Sequence, residues 1–459
     1  MKLLYIDLFC GAGGTSTGVE TAKYEGDKCA KVIACVNHDA NAIASHSSNH
    51  PEALHFTEDI RTLNLSRLIK HIKHEKSLYP DAYIVLWASL ECTNFSKAKG
   101  GQPRDADSRT LAEHLFRYIE AINPDFIQIE NVEEFMSWGD LDENGKPVSK
   151  YKGKDFIRWI KNVCKYGYHT DHRILNSADF GAYTSRKRLF ILFAKHDLPI
   201  VFPTPTHCKG GAVGMFNFKK WKPVKEVLDF TDEGESIFTR KKPLVEATLK
   251  RIYSGLIKFV AGGKESFISA YYGNGDNVHS IEDPSPTVTT KDRLAFVDMQ
   301  YGNGIPTGIN QPAGTVTVNP KHHLVTCKPW VMNTNFNNIG SSIDSPAQTV
   351  TANRKWHYLL NPQFQSKNIS IQINDSDNDT MKKIKEFMII YGIVDIKMRM
   401  LRIPELKQIM GFPEDYVLVG TQAEQKKYIG NAVEVTIARA ICEALAEKLH
   451  ELQQEKIVI

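Results

Sequence analysis

Long hydrophobic runs are missing from this chain. No window approaches the roughly 18 uncharged apolar residues that a membrane helix needs, so no span is expected. The opening MKLLYIDLFCGAGG is apolar only briefly. Asp7 interrupts it and no small-residue cleavage site follows, so a first strand is expected rather than a signal peptide. Cysteine pairs are missing too. The eight cysteines, at 10, 29, 35, 92, 164, 208, 327 and 442, include no CxxC and no Cys/His spacing of the zinc type. That pattern points to free thiols in a reducing, cytoplasmic setting and to no metal site. The His71/His74 and His322–His323 pairs read as surface residues. A strong charge excess is also absent. With 57 Lys and Arg against 53 Asp and Glu, the net charge of +4 permits a nucleic-acid partner without demanding one.

What is present is an ordinary globular composition, 42% hydrophobic and 24% charged over 459 residues, enough for two or three domains. From 1 to about 200, short apolar runs alternate with helical stretches. Strands are expected at 3–9, 31–36, 82–88, 126–131 and 188–194, with a helix over 109–122. Such alternation predicts a mostly parallel sheet covered by helices, an α/β Rossmann-like architecture that binds ligands at the carboxyl ends of its strands. The polar stretch at 140–154, with Asn144–Gly145, reads as a surface excursion.

From 201 to 395 Gly, Pro, Asn and Thr rise and β-like runs replace helices. Segments 282–297, 310–325 and 344–359 align on Pro284, Pro312 and Pro346, each followed three residues later by Thr-Val-Thr. These repeats suit stacked β-ribbons, or a scaffold offering Lys291, Arg293, Lys321, Arg354 and Lys355 to phosphates. Repeat chemistry alone does not separate the two. From 396 to 459 helical texture returns. Ile437, Ile441, Leu445, Leu449 and Leu452 form one stripe, so this segment is expected to return to the first domain.

Three stretches carry chemistry. DLFCGAGGTSTG (7–18) is a strand, a glycine turn and a helix start, suited to close backbone approach by a polar ligand; no Gly-Lys-Ser/Thr follows, which excludes a Walker phosphate loop. Asn37, His38 and Asp39 follow the second strand, where a ribose ligand is expected. Asp59 is placed either to bind an adenine amino group or to cap a helix. In LWASLECTNFSKAKGG (86–101), Cys92 follows an apolar strand beside Glu91, which opposes thiolate formation. Glu130 ends another apolar strand, and Arg186 and Arg188 stand two apart in SRKRLFIL, as a solvated edge or a clamp for a phosphate or for Glu130.

In order along the chain, DLFCGAGG, ASLECTNFS, DADSRTL, IENV, ADFGAYTSRKR, RMLRIPELKQIMGFP and YIGNAV resemble the motifs of the C5-cytosine DNA methyltransferases. The chain departs from them at Glu91, Thr93, Tyr183, Thr184 and Asn37. The resemblance implies an S-adenosylmethionine methyltransferase domain with a smaller β-rich target-recognition domain in the repeat region. It implies Cys92 as nucleophile, with Glu130, Asn131, Arg186 and Arg188 around the base. It implies a cofactor site from Phe9, Cys10, Gly11, Ala12, Gly14, Asn37, His38, Asp59, Ile60, Ser89, Leu111, Asn431 and Val433. Double-stranded DNA would be held by Ser96, Lys97, Lys99, Arg104, Lys291, Arg293 and Arg354, and Glu91 would face the cofactor side or a basic partner. A monomer of bacterial or phage origin, with or without a separate cognate restriction endonuclease, fits the same resemblance. A C5-cytosine RNA methyltransferase and an inactive DNA-binding homologue are the alternatives; the long repeat region argues against the first and the retained site residues against the second.

Overall fold

The computed structural model describes residues 2–90, 111–140, 142–143, 147–211, 217–259, 267–270, 278–280, 294–297, 329–333, 341–347, 349, 357–364 and 371–458. The chain divides into two compact units. One comprises Met1–Asp229, Asp344–Lys355 and Arg402–Ile459; the other comprises Phe230–Ile343 and Trp356–Leu401.

The first unit is built on seven strands: β1 (Leu3–Leu8), β2 (Ala30–Val36), β3 (Leu54–Phe56), β4 (Tyr83–Ser89), β5 (Phe126–Asn131), β6 (Tyr168–Asn176) and β7 (Lys187–Lys195). Their order across the sheet is β3-β2-β1-β4-β5-β7-β6. The first five are parallel, and β7 runs antiparallel between β5 and β6. β1 is buried along its whole length because both faces are covered. Leu4, Ile6 and Leu8 join one core with Ile33, Leu86, Ile129 and Ile191. Leu3 and Tyr5 join the opposite core with Val85, Trp87 and Phe190. Strand alternation thus gives one strand to two hydrophobic layers.

Helices α1 (Gly14–Thr21), α2 (Ala40–Asn49), α3 (Ser66–Leu78), α4 (Leu115–Ile122) and α5 (Lys154–Cys164) fill the connections. The helix expected over 109–122 begins at Leu115, after a turn over 111–114. β6 was not expected from the sequence. Its central residues are exposed on an edge, so no clean alternation marks it.

The second unit holds α6 (Glu246–Phe259), α7 (Asp379–Tyr391) and two antiparallel sheets. Ile252, Leu256, Trp330, Leu360, Phe387 and Met398 are among the residues of its own core. Returning to the first unit, α8 (Ile403–Ile409) and α9 (Gln422–Asn431) lead to α10 (Val435–Val458). α10 lies close against α1. A Cβ on Gly18 would stand 2.6 Å from the Val435 carbonyl oxygen and 2.7 Å from Ala438 Cβ. Together with Gly14, Gly18 gives α1 the small-residue face that lets α10 approach.

A glycine cradle and a carboxylate–guanidinium pair at the strand ends

Just beyond β1 the backbone alternates. Phe9, Gly11 and Gly13 have φ of 59°, 53° and 102°. A left-handed non-glycine residue such as Phe9 persists only where the surroundings impose it. Alternating conformations of this kind turn successive N–H groups toward one concavity. Among the described residues, no atom lies within 4 Å of a Cβ built on Gly11, so the cradle has open space on that side. Gly14 is the opposite case, because a Cβ there would strike the Val433 carbonyl oxygen at 2.3 Å. The Tyr416 hydroxyl donates to the Ala12 carbonyl and anchors the far side of the loop.

Asn37 follows β2 directly, and its Oδ1 accepts from Asp39 N at 2.9 Å. Asp39 caps α2, accepting from the amides of Asn41 and Ala42. Burial raises the Asp39 carboxyl, but the Ala42 amide, the Tyr428 hydroxyl and Lys427 outweigh it and hold it low. Asp59 lies in the loop after β3 and meets Arg61: the guanidinium Nη2 stands 2.6 Å from Oδ2, and the Arg61 amide donates to Oδ1 at 2.8 Å. Chiefly because of Arg61, its carboxyl falls to about 2. The capping expectation is therefore realised as a local turn rather than a helix start. Ile60 is buried, and its carbonyl accepts from Arg117 and Tyr118. Ser89 Oγ accepts from Trp87 Nε1 at 2.9 Å. Leu111 is half-buried, while Asn431 is exposed at the end of α9. His38 is exposed beside the half-buried Asn37.

Glu130 and Asn131 end β5, both buried. Glu130 pairs across the sheet with Ser89 on one side and Phe190 on the other. Arg188 Nε stands 3.2 Å from Glu130 Oε1. Arg186, fully buried, donates instead to the Gly430 carbonyl at 3.1 Å. The two arginines therefore separate: Arg188 steadies the carboxylate, and Arg186 ties the strand start to the last turn of α9. Asn131 Oδ1 accepts from Val132 N at 2.8 Å. Ala347, in the third repeat, is bonded on both sides of Thr184: its amide donates to Tyr183 O and its carbonyl accepts from Ser185 N.

Cys92, Glu91, Ser96, Lys97, Lys99 and Arg104 lie outside the described residues, as do Lys291, Arg293, Lys321, Arg354 and Lys355. Sequence reasoning missed Tyr416 and Tyr428, whose hydroxyls bond to Ala12 and Asp39 from nearly 400 residues away along the chain. Only the aromatic residues near the Gly-Phe-Pro and Gly-Asn-Ala-Val stretches could have signalled them.

Five parallel strands extended by an antiparallel pair, with a glycine cradle at the end of β1, define the S-adenosylmethionine methyltransferase fold. The sequence model of the C-5 cytosine-specific DNA methylase family matches residues 3–447, and the chain belongs to that family. It is 28% identical over 216 residues to the type II methyltransferase M1.HphI of Haemophilus parahaemolyticus, covering 47% of this chain and 52% of that protein. It is 28% identical over 211 residues to M.AgeI of Thalassovita gelatinovora, covering 46% and 44%. In these two matches the chain spans about half the relative's own length. The match to M.BanI of Aneurinibacillus aneurinilyticus, at 23% identity, covers 97% of this chain and 96% of that one.

Proposed function

We propose that the protein transfers a methyl group from S-adenosylmethionine to C5 of a cytosine in double-stranded DNA, through a covalent bond between Cys92 and C6. The observation that carries this reading is the Glu130–Arg188 pair held beside Ser89 at the carboxyl end of the sheet. Cys92 follows Ser89 by three residues, and three residues of chain span at most about 11 Å.

Cytosine C5 is a weak nucleophile. Adding the Cys92 sulfur to C6 while N3 gains a proton leaves an electron-rich C5. Glu130 supplies that proton and holds the exocyclic amine; Arg188 fixes the carboxylate through Oε1 and stands on the O2 side. The cofactor, when bound, supplies an electrophilic methyl group. Loss of the C5 proton and elimination of the Cys92 thiolate, with the N3 proton returning to Glu130, then restore the aromatic ring. The target atoms are buried in a duplex, so the base must leave the stack.

The cradle fits the cofactor. Gly11 leaves open space, the left-handed turn offers backbone donors, and Asn37 offers a hydroxyl partner. In this reading Phe9, Cys10, Gly11, Ala12, Gly14, Asn37, His38, Asp59, Ile60, Ser89, Leu111, Asn431 and Val433 surround it. Asp59 would then share its carboxylate with Arg61 or release it. Ser96, Lys97, Lys99 and Arg104 contact phosphates near the flipped base, and the repeat-bearing region, 201–395, supplies recognition through Lys291, Arg293 and Arg354. A monomer acting in the cytoplasm beside a restriction endonuclease completes the proposal.

Bisulfite sequencing of DNA from cells expressing the chain tests it. Protected cytosines in one sequence context are expected, and none with Cys92→Ala. Full protection by the Cys92→Ala variant would remove the nucleophile, and methylated RNA with unmethylated DNA would replace the substrate.

A further inference from the structure

Beneath the glycine cradle, Asp7, Cys35, His46 and His55 have no place in the methyl-transfer reading, and Cys10 enters it only as part of the cradle backbone. Asp7, Cys35 and His55 stand in one row across three adjacent strands: β1 pairs Asp7 with Cys35, and β2 pairs Cys35 with His55. His46 enters this row from α2, and Cys10 enters it from the loop after β1. The ligand atoms of Cys10, Cys35 and His46 all lie within 4.8 Å of one another. His46 Nδ1 stands 3.6 Å from Cys35 Sγ and 3.0 Å from His55 Nε2. Cys35 and His46 are fully buried, Cys10 nearly so, and His55 partly.

We propose that Cys10, Cys35 and His46 form the assembled part of a structural zinc site beneath the glycine cradle, and that His55, hydrogen-bonded to His46, moves in from β3 as the fourth ligand. In tetrahedral zinc, bonds of about 2.3 Å to sulfur and 2.0–2.1 Å to nitrogen put sulfur and nitrogen about 3.6 Å apart and two nitrogens about 3.3 Å apart. The Cys35–His46 separation meets the first figure, and the His46–His55 separation falls a few tenths of an ångström short of the second. Without a metal, His55 Nε2 donates to the His46 Nδ1 lone pair at this distance, and zinc takes the place of the shared proton.

The hydrogen bonds around His46 support the assignment independently. Ser16 Oγ donates to Asp7 Oδ2 at 2.8 Å, so it accepts from His46 Nε2, 2.9 Å away. The ring proton is thereby placed on Nε2, and Nδ1 turns a lone pair toward Cys35 and His55. An imidazole that gives one nitrogen to a metal commonly donates from the other to a carboxylate relay, here Ser16 and then Asp7. Asp7 is fully buried and its Oδ1 has no hydrogen-bond partner among the described residues, a costly arrangement that a stronger donor at His46 offsets.

Thiolate and imidazole ligands together select zinc over magnesium or calcium. Four protein ligands leave no open position, so the ion's role is to hold structure. Positions 10, 35, 46 and 55 share no short spacing, which is why the sequence shows no metal pattern. The strands bring them together.

Elemental analysis of the untagged full chain, washed with a mild chelator, tests the site. About one zinc per chain is expected. Cys35→Ala and His46→Ala should each lower it roughly tenfold, whereas Cys164→Ala should leave it unchanged. If the variants do not fold, the native chain grown on cobalt decides. Thiolate-to-cobalt charge transfer with tetrahedral d–d bands supports the site, and an octahedral or absent cobalt spectrum overturns it. Zinc far below one per native chain overturns it too, as does a Cys10–Cys35 disulfide found by non-reducing mass spectrometry.

Discussion

Glu130 and Arg188 make opposite demands on a substitution. Arg188 is the partner that makes a buried carboxylate tolerable, so Arg188→Ala leaves Glu130 uncompensated and costs stability on the order of 3 kcal/mol. Glu130→Gln keeps the volume and removes the proton donor. It should leave the melting temperature nearly unchanged and lower kcat by about 100-fold or more, measured with a labelled methyl donor and duplex DNA. A kcat within a few-fold of the native chain would place the proton donor elsewhere. Arg186 and Arg188 look alike in the sequence, two residues apart before an apolar run. Their separation became visible only when Gly430, some 240 residues later, was found accepting from Arg186. The cysteines and histidines beneath the cradle were hidden for the same reason.

Glu434 belongs to the same scale. Burial pushes its carboxyl up to about 7, opposed by the amides of Thr436 and Ile437 that it accepts from at the start of α10. A carboxyl raised in the folded chain binds more protons there than in the unfolded chain between the ordinary value, 4.5, and about 7. Its contribution is therefore full below the ordinary value and lost as pH rises through the folded one, by about 2–3 kcal/mol. Thermal melts between pH 5 and 8 should show this loss, and Glu434→Gln should flatten the difference. An unchanged pH slope in that variant would assign the dependence to other groups.

Among the elements, the pairing of α1 with α10 depends on the two small positions of α1. Gly18→Ala places a Cβ where Val435 O and Ala438 Cβ already stand, and the helices must move apart. The expected cost is about 1–3 kcal/mol, read as a lower melting temperature. Gly210→Ala, with nothing within 4 Å of the new atom, should change it little. Equal melting temperatures for the two variants would show that α10 yields without cost. The strands with apolar runs, β1, β2, β4, β5 and β7, were legible because both sheet faces are covered there. β6 was not, since its middle is exposed, and no local pattern announces that β7 inserts antiparallel between β5 and β6. The Rossmann-like class could be read from alternation alone, but the order of strands could not.

For the whole molecule, affinity and chemistry are assigned to different stretches of chain. The second unit has a core of its own, from Ile237 to Met398, and the cradle and the Glu130–Arg188 pair lie in the first. If Lys291, Arg293 and Arg354 contact phosphates, each neutralised phosphate releases counterions and adds about 0.9 to the slope of log affinity against log salt. Replacing all three with alanine should reduce that slope by about 2.7 for a duplex carrying the recognised site. Cofactor affinity, measured without DNA, should stay the same. A slope unchanged by the triple substitution would return the repeats to the role of stacked ribbons, since lysines and arginines that touch no phosphate release no counterions. Arg354 belongs to the first unit, so a lower cofactor affinity would show that the substitutions disturb the cradle, and the separation of DNA affinity from cofactor binding would fail.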